Sequence, residues 1–456
     1  MKVFRPAFAG LIGVSRWDIT PPTPIYARNW GAAEHDFAEG VERSLTGTAL
    51  AFQAEGGRAP LVLISLDLGF WRSKEEEWRF RGALLEATAL EEANLIVHLT
   101  HTHAGPGTEY DLEREYQPEV ATAYLASVEE ACVKGIRAAL ADLEPATLVM
   151  GSGRCDLATN RDLPDPEREG VWVCGYNPAK EADDTLWVGM VFREDGGCKG
   201  TLVNYACHPT TLAWQNRRIS PDFPGPMRDL VEAETGGPCL FYNGACGELS
   251  PLEQYTDDHS VVTRNGRRLG YAVLSVLEGM GVPPHGFEYT GHVESGAPLG
   301  IWGRTENPAE TDLKAEILEI ELPVKADLPD PEAVEADLQR GTQAFERERL
   351  RRKLKPLRSF AGRRHSNEYC WAWRLGSIFL VAHAFEAYSD LQVSLRSNLP
   401  AGAALLVGNR TNGWGGYLPP ESEYGKDLYQ VWQTPFERGS LEALIDCYAS
   451  WIHLER

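Results

Sequence analysis

The chain of 456 residues lacks the features that pair cysteines, cross a membrane or bind a polyanion. Its nine cysteines are scattered without Cys-x-x-Cys spacing, which excludes a thiolate-type structural zinc and gives no disulfide framework. No apolar run approaches the ~18 residues that a membrane-spanning helix needs. Basic residues are the minority, 44 Lys and Arg against 66 Asp and Glu, for a net charge of −22. A surface of that sign repels phosphate backbones and anionic lipid, so neither nucleic acid nor stable membrane insertion is expected. Repeats and low-complexity tracts are absent as well. The opening "MKVFRPAFAGLIGVSRWDITPP" has early positive charge and an apolar stretch, but Pro6 breaks it and no small-residue cleavage site follows. It reads as the first strand of a folded domain, and the chain as a cytoplasmic protein with free thiols. The oligomeric state is not legible.

What is present is an alternation. Apolar runs of strand length, "LVLISLDLGF", "NLIVHL", "TLVNYA", "PCLFYNGA", "SIFLVAHA" and "AALLVGN", alternate with helical stretches. One helix starts at Ser73 with an acidic first turn. A second runs from about Pro118 to Leu143, with Tyr124, Val128 and Cys132 four apart. Further helices are expected at 224–234, 261–279 and 387–397. This order predicts an α/β fold, a mixed β-sheet core flanked by helices, and 456 residues allow one large domain or two to three ordinary ones. The most charged stretch, 323–366, reads as a helical insertion. Its centre at 330–353 is a solvated helix with Pro331 in the first turn.

Residues able to bind metal or move protons follow these strands. "LTHTHAGPGTEY" carries His101 and His103. "ACHPTT" carries His208, "CGELSP" Ser250, "FEAYSD" Glu386, and "NGWGGYLPPESEYGKDLY" Tyr417 and Tyr429. Ligand sites in open α/β sheets form beyond the carboxyl ends of strands. Singly, each has a plain reading: loop histidines, a core histidine, packing tyrosines. Together, His101, His208 and Glu386 supply the His, His, carboxylate set of a catalytic zinc with an open position. Glu386 ends an apolar run, and burying its charge requires a cation beside it.

The pieces "GVSRWDITPP", "LTHTHAGPG", "GRCDLATNRD", "NYACHPTT", "NGACGELSP", "FEAYSDLQVSLR" and "NGWGGYLPPESEYGKDLY" occur in an order that resembles the neutral/alkaline non-lysosomal ceramidase family, over nearly the whole chain. The resemblance implies one catalytic zinc ion held by His101, His208, Glu386 and Tyr417. It implies that His103 stands near the metal-bound water, that Arg161 contacts substrate, and that Tyr429 stabilises an oxyanion. Ser250 matches a serine of a Gly-Asp-x-Ser-Pro piece once taken as a nucleophile. Turn chemistry is the competing reading of that Ser-Pro. The implied activity is zinc-dependent hydrolysis of an N-acyl amide, the partner a small N-acyl molecule.

The chain departs from the pattern in three ways. Glu248 stands where the family has Asp, and "CHPTT" replaces a more frequent Thr-His-Gly-Thr. The C-terminal immunoglobulin-like domain of larger members is not expected. These departures leave the ligands intact and open the substrate, ceramide-like or smaller. Rival readings are a metallo-esterase or other metallohydrolase, a binding module that kept the fold, and a Cys207 or Cys246 thiol paired with His208. His98, His285 and His453 are given no role, and His98 is expected to be packed.

Overall fold

The computed structural model describes residues 1–456 except 58, 111, 113, 282, 283, 342 and 456, and only the backbone at 115, 344, 345, 348, 352, 355 and 356. Eight strands form the larger sheet: β1 (Ala7–Asp18), β2 (Thr46–Gln53), β3 (Leu61–Leu66), β4 (Leu95–Leu99), β5 (Glu144–Arg154), β6 (Thr185–Arg193), β7 (Cys198–Tyr205) and β8 (Cys239–Asn243). Their order is β8-β7-β6-β5-β1-β2-β3-β4. The central pairings are antiparallel, and only the outermost pair at each edge is parallel. A smaller sheet holds β9 (Leu313–Pro323), β10 (His365–Leu375), β11 (Ile378–His383) and β12 (Ala404–Gly408), with β11 and β12 parallel.

The mixed sheet flanked by helices is present, and the finer architecture is a stack of two sheets. Phe8, Leu50, Leu148 and Tyr242 of the larger sheet pack against Trp371, Trp373, Leu380 and Leu406 of the smaller. The alternation of side chains along a strand explains the sequence of β3. Leu61 and Leu63 face the smaller sheet, while Val62, Ile64 and Leu66 face helices. Both faces are dry, so the strand reads as an unbroken apolar run. Helices α1 (Lys74–Thr88) and α2 (Pro118–Ala141) cover one part of the outer face. Tyr124, Val128 and Cys132 point inward there, as their spacing predicts. Helices α3 (Pro224–Thr235) and α4 (His259–Met280) cover the rest.

The charged stretch forms two helices, α5 (Pro331–Arg340) and α6 (Ala344–Phe360), where one was expected. Asp330 caps α5 by accepting from the Glu332 amide, with Pro331 in the first turn. The pair is not merely solvated. Val334, Leu354 and Leu357 make a small core between the two helices. Helices α7 (Asp390–Ser397), α8 (Tyr429–Gln433) and α9 (Ser440–Leu454) follow; α7 and α9 pack on the smaller sheet. An antiparallel ribbon, His285–Glu294 with Pro298–Glu306, has no counterpart among the sequence-based elements. Among the described residues no helix is long and apolar enough to cross a membrane.

Candidate metal centre and cavity

Two strand ends of the larger sheet and two short strands beside the smaller one meet at a single point. β4 ends at Leu99, and His101 follows in a left-handed conformation with φ 71°. A non-glycine residue tolerates that backbone only where its surroundings hold it. Here the His101 amide donates to the Leu68 carbonyl at 3.0 Å. His208 lies just past β7, its amide bonded to the Leu249 carbonyl at 3.0 Å. Glu386 and Tyr417 sit directly opposite each other in a parallel pairing of Glu386–Ala387 with Tyr417–Leu418. The register of that two-residue ladder therefore brings a carboxylate and a phenol together from positions far apart in sequence.

The imidazoles are oriented by carbonyls. His101 Nδ1 lies 2.9 Å from the Gly69 carbonyl. His208 Nδ1 lies 2.6 Å from the Cys246 carbonyl and 3.1 Å from that of Leu249. A carbonyl only accepts, so each Nδ1 carries a proton, and a ring that holds no second proton presents an Nε2 lone pair. Both lone pairs aim at one oxygen: Glu386 Oε2 is 3.3 Å from His101 Nε2 and 3.1 Å from His208 Nε2. Three acceptors converging in a buried pocket repel unless a cation lies between them. A proton on His208 is disfavoured, because burial and the neighbouring Arg161 guanidinium push its pKa down to about 3. The donor set therefore fits a divalent metal ion.

His103 completes the cluster. Its Nε2 is 3.4 Å from His101 Nε2, and His101, His103 and His208 together could hold an ion by proximity alone. Burial, with the Arg161 guanidinium adding to it, holds His103 well below the usual imidazole range, so it is neutral. Phe70 and Trp30 pack on its ring at 5.8 and 5.3 Å between centroids. Burial by itself would push the Glu386 carboxyl up, but positive charge shared with His101 and His208 and the Arg410 guanidinium outweigh it and hold the group well below the usual carboxylate range.

Arg161, Tyr417 and Tyr429 form the next layer. Arg161 Nη2 donates to the Gly247 carbonyl at 2.6 Å and to the Tyr417 hydroxyl at 3.2 Å, and lies 3.4 Å from His208 Nε2. The Tyr417 ring stacks on His208 at 6.5 Å, and Tyr429 meets Tyr417 edge-on at 5.6 Å. Ser250 is not brought in. It pairs with Thr159 in a two-stranded ladder, is fully buried, and does not line the cavity. Its ladder instead runs alongside the segment that delivers Arg161, whose amide bonds the Glu248 carbonyl at 2.8 Å. The Glu248 side chain accepts from the Ser389 amide at 3.0 Å and bonds the Ser389 hydroxyl, tying this loop to the start of α7. His98 is packed as expected, between the Ser65 hydroxyl at 2.9 Å and the Asn243 amide at 3.1 Å.

A cavity of about 360 Å³ opens beside the cluster, lined by His101, His103, Glu386, Tyr417 and Tyr429 on one side. Leu338, Leu354, Arg351 and Arg358 of α5 and α6 form the facing wall. Sequence reasoning missed that wall and also Arg410, which lines the cavity beside Glu386. Arg410 directly follows "AALLVGN", a strand end already singled out, but arginine is not a metal ligand and drew no notice there.

Two solved structures superpose over nearly the whole chain. One, described as a ceramidase complexed with C2, aligns with a TM-score of 0.68 at 16% identity, covering 99% of this chain and 75% of that one. The chain has the neutral ceramidase fold. A neutral ceramidase from Pseudomonas aeruginosa gives a TM-score of 0.67 at 17% identity over the same shares of the two chains. In sequence, a neutral ceramidase from Mycobacterium tuberculosis (strain ATCC 25618 / H37Rv) is 28% identical over 206 residues. That match spans 43% of this chain and 32% of the relative, so it reaches about a third of the relative's length. No family model matches. The ceramidase fold thus accounts for the stacked sheets, and the chemistry must be argued from the cluster itself.

Proposed function

We propose that this chain hydrolyses the amide bond of an N-acyl compound with one divalent ion, zinc, held by His101, His208 and Glu386 with Tyr417 as a further oxygen donor. The observation that carries this reading is the convergence of two lone-pair-bearing Nε2 atoms on Glu386 Oε2, at 3.3 and 3.1 Å, in the wall of a cavity. When bound, such an ion polarises a carbonyl and lowers the pKa of water to about 7. The likeness to ceramidases supports an amide as the bond attacked.

The chain's own residues then act in sequence. His103, neutral and 3.4 Å from His101, accepts the proton of the attacking water as its oxygen adds to the carbonyl carbon. Tyr429, in the cavity wall, stabilises the negative charge that gathers on the former carbonyl oxygen, and Arg161, bonded to the Tyr417 hydroxyl and close to His208, adds positive potential from outside the lining. The C–N bond breaks, His103 returns the proton to the leaving nitrogen, and a carboxylic acid and an amine result, the acid's remaining proton passing to the amine or to solvent. Ser250, away from the cavity, shapes the turn beside Arg161 and takes no part in bond making.

The test is metal content together with hydrolysis of N-acyl amides, carboxylic esters and phosphoesters. About one equivalent of zinc and preferential amide cleavage are expected. His101→Ala should lose metal and activity together, turnover falling by at least about 10³-fold. Protein that binds no divalent ion, or that cleaves only esters or phosphoesters, would overturn the assignment.

A further inference from the structure

Arg410 is a buried charge to which the hydrolysis described above gives no task. Its side chain is 2% exposed and lines the cavity. The guanidinium lies over Phe70, 5.4 Å from the ring centroid, and Nη2 reaches the Trp71 carbonyl at 3.4 Å. Nη1 stands 3.5 Å from Glu386 Oε1, beyond hydrogen-bond distance. Neither Nη1 nor Nε has a hydrogen-bond partner among the described residues. Burial and these contacts hold the head group, and the backbone beneath it is pinned at both ends. The Arg410 amide donates to the Phe385 carbonyl at 3.2 Å, and its carbonyl accepts from Leu99 at 3.3 Å.

The other cations around the cavity are engaged. Arg72 pairs with Glu109 at 2.7 Å, Arg358 with Glu335 at 2.8 Å, and Arg351 reaches the Tyr116 hydroxyl at 3.2 Å. Among the described residues Glu386 is the one carboxylate within ion-pair distance of Arg410, and its other oxygen faces the two histidines. A divalent ion on that oxygen takes up the negative charge that now offsets Arg410. Arg410 then faces the cavity with donors that ask for an anion. Buried guanidinium donors without an acceptor are costly, and a carboxylate matches them.

We infer, on the basis of the proposed amide hydrolysis, that the substrate is an N-acyl compound bearing a carboxylate, and that Arg410 receives this carboxylate through its unpartnered donors. A cavity of about 360 Å³ lies near the lower end of small-ligand sites, which suits such a compact molecule. The carboxylate comes either from the amine half, as in an N-acyl amino acid, or from the far end of the acyl half.

The experiment compares kcat/KM for paired substrates in the metal-loaded enzyme. An N-acyl amino acid is set against its carboxamide, and a terminal carboxy-acyl amide against its neutral counterpart. Parent enzyme should prefer one of the two carboxylates over its neutral partner by about 10- to 100-fold. Arg410→Gln should bring that ratio close to one, and Arg410→Lys should keep part of it. Titration calorimetry with an N-acyl amino acid and its carboxamide gives the same comparison as binding, independent of turnover. No preference in the parent overturns the inference while leaving amide hydrolysis standing. So does an Arg410→Gln variant that loses both members of a pair in equal proportion together with bound metal, since Arg410 would then only position Glu386. Failure to cleave any amide overturns the hydrolysis reading instead. In that case a carboxylate preference in calorimetry, abolished by Arg410→Gln, still upholds the anion site.

Discussion

The side of the cavity that carries His101 and Glu386, with His208 against Glu386, is set by backbone. Each residue follows or forms a strand, and carbonyls hold both imidazoles. The facing wall, α5 and α6, rests on a small core of Val334, Leu354 and Leu357 and on surface pairs such as Arg358–Glu335. The first side tolerates little displacement, because metal ligation and proton transfer need fixed distances. The second can change side chains without moving a ligand. The contrast teaches that reaction type and substrate choice are written in different layers of this molecule. Substituting one residue on each side is the way to break it.

The largest effect is expected on the strand-end side. Tyr429→Phe removes a hydroxyl and keeps the ring that packs against Tyr417 and Trp432. Turnover should fall by about 10²- to 10³-fold while metal content stays at the parent value. Atomic absorption beside steady-state kinetics checks this. Loss of metal with the hydroxyl would mean that Tyr429, not Tyr417, is the oxygen donor.

Why that side was readable from sequence and the other was not follows from the same contrast. A ligand residue must be His or Glu, and a strand end is marked by an apolar run, so "NLIVHL" followed by His101 is legible one residue at a time. The alternation of helices and strands also gave the mixed sheet. The second sheet was invisible because β3 is apolar on both faces whether it meets helices on each side or a helix layer and a sheet. The wall was hidden because α5 and α6 look like any solvated charged helix. Leu338 and Leu354 acquire meaning only when the chain folds them over a distant cluster. Arg410 lay in plain sight, but its role depends on two donors left without a hydrogen-bond partner among the described residues, which no sequence displays.

An intermediate effect is expected on the helical wall. Leu354→Ala shortens a buried side chain that lines the cavity and leaves every candidate ligand untouched. KM for the preferred substrate should rise about tenfold, with kcat nearly unchanged. A comparable fall in kcat would show that the wall takes part in aligning the reacting groups and would erase the division between the two sides.

The smallest effect concerns what keeps the strand-end side rigid. Glu248 is buried against the Ser389 amide and hydroxyl, and burial pushes its carboxyl up to about 8. The folded protein therefore keeps a proton that the unfolded chain gives up near pH 4.5, the ordinary glutamate value. Stability from this group is fully present below the unfolded pKa and is lost as pH rises through the folded one. Asp222, raised to about 6 by burial, adds a slope of the same sign in parent and variant alike. Glu248→Gln has no proton to lose and keeps an acceptor for the Ser389 amide. Its melting temperature should fall less than that of the parent between about pH 5 and about pH 8. Identical slopes would mean that Glu248 is already ionised in the folded protein. The loop that carries Arg161 would then be held by a charge that pairs with no cation among the described residues, and the contrast between a rigid strand-end side and a permissive helical wall would need another cause.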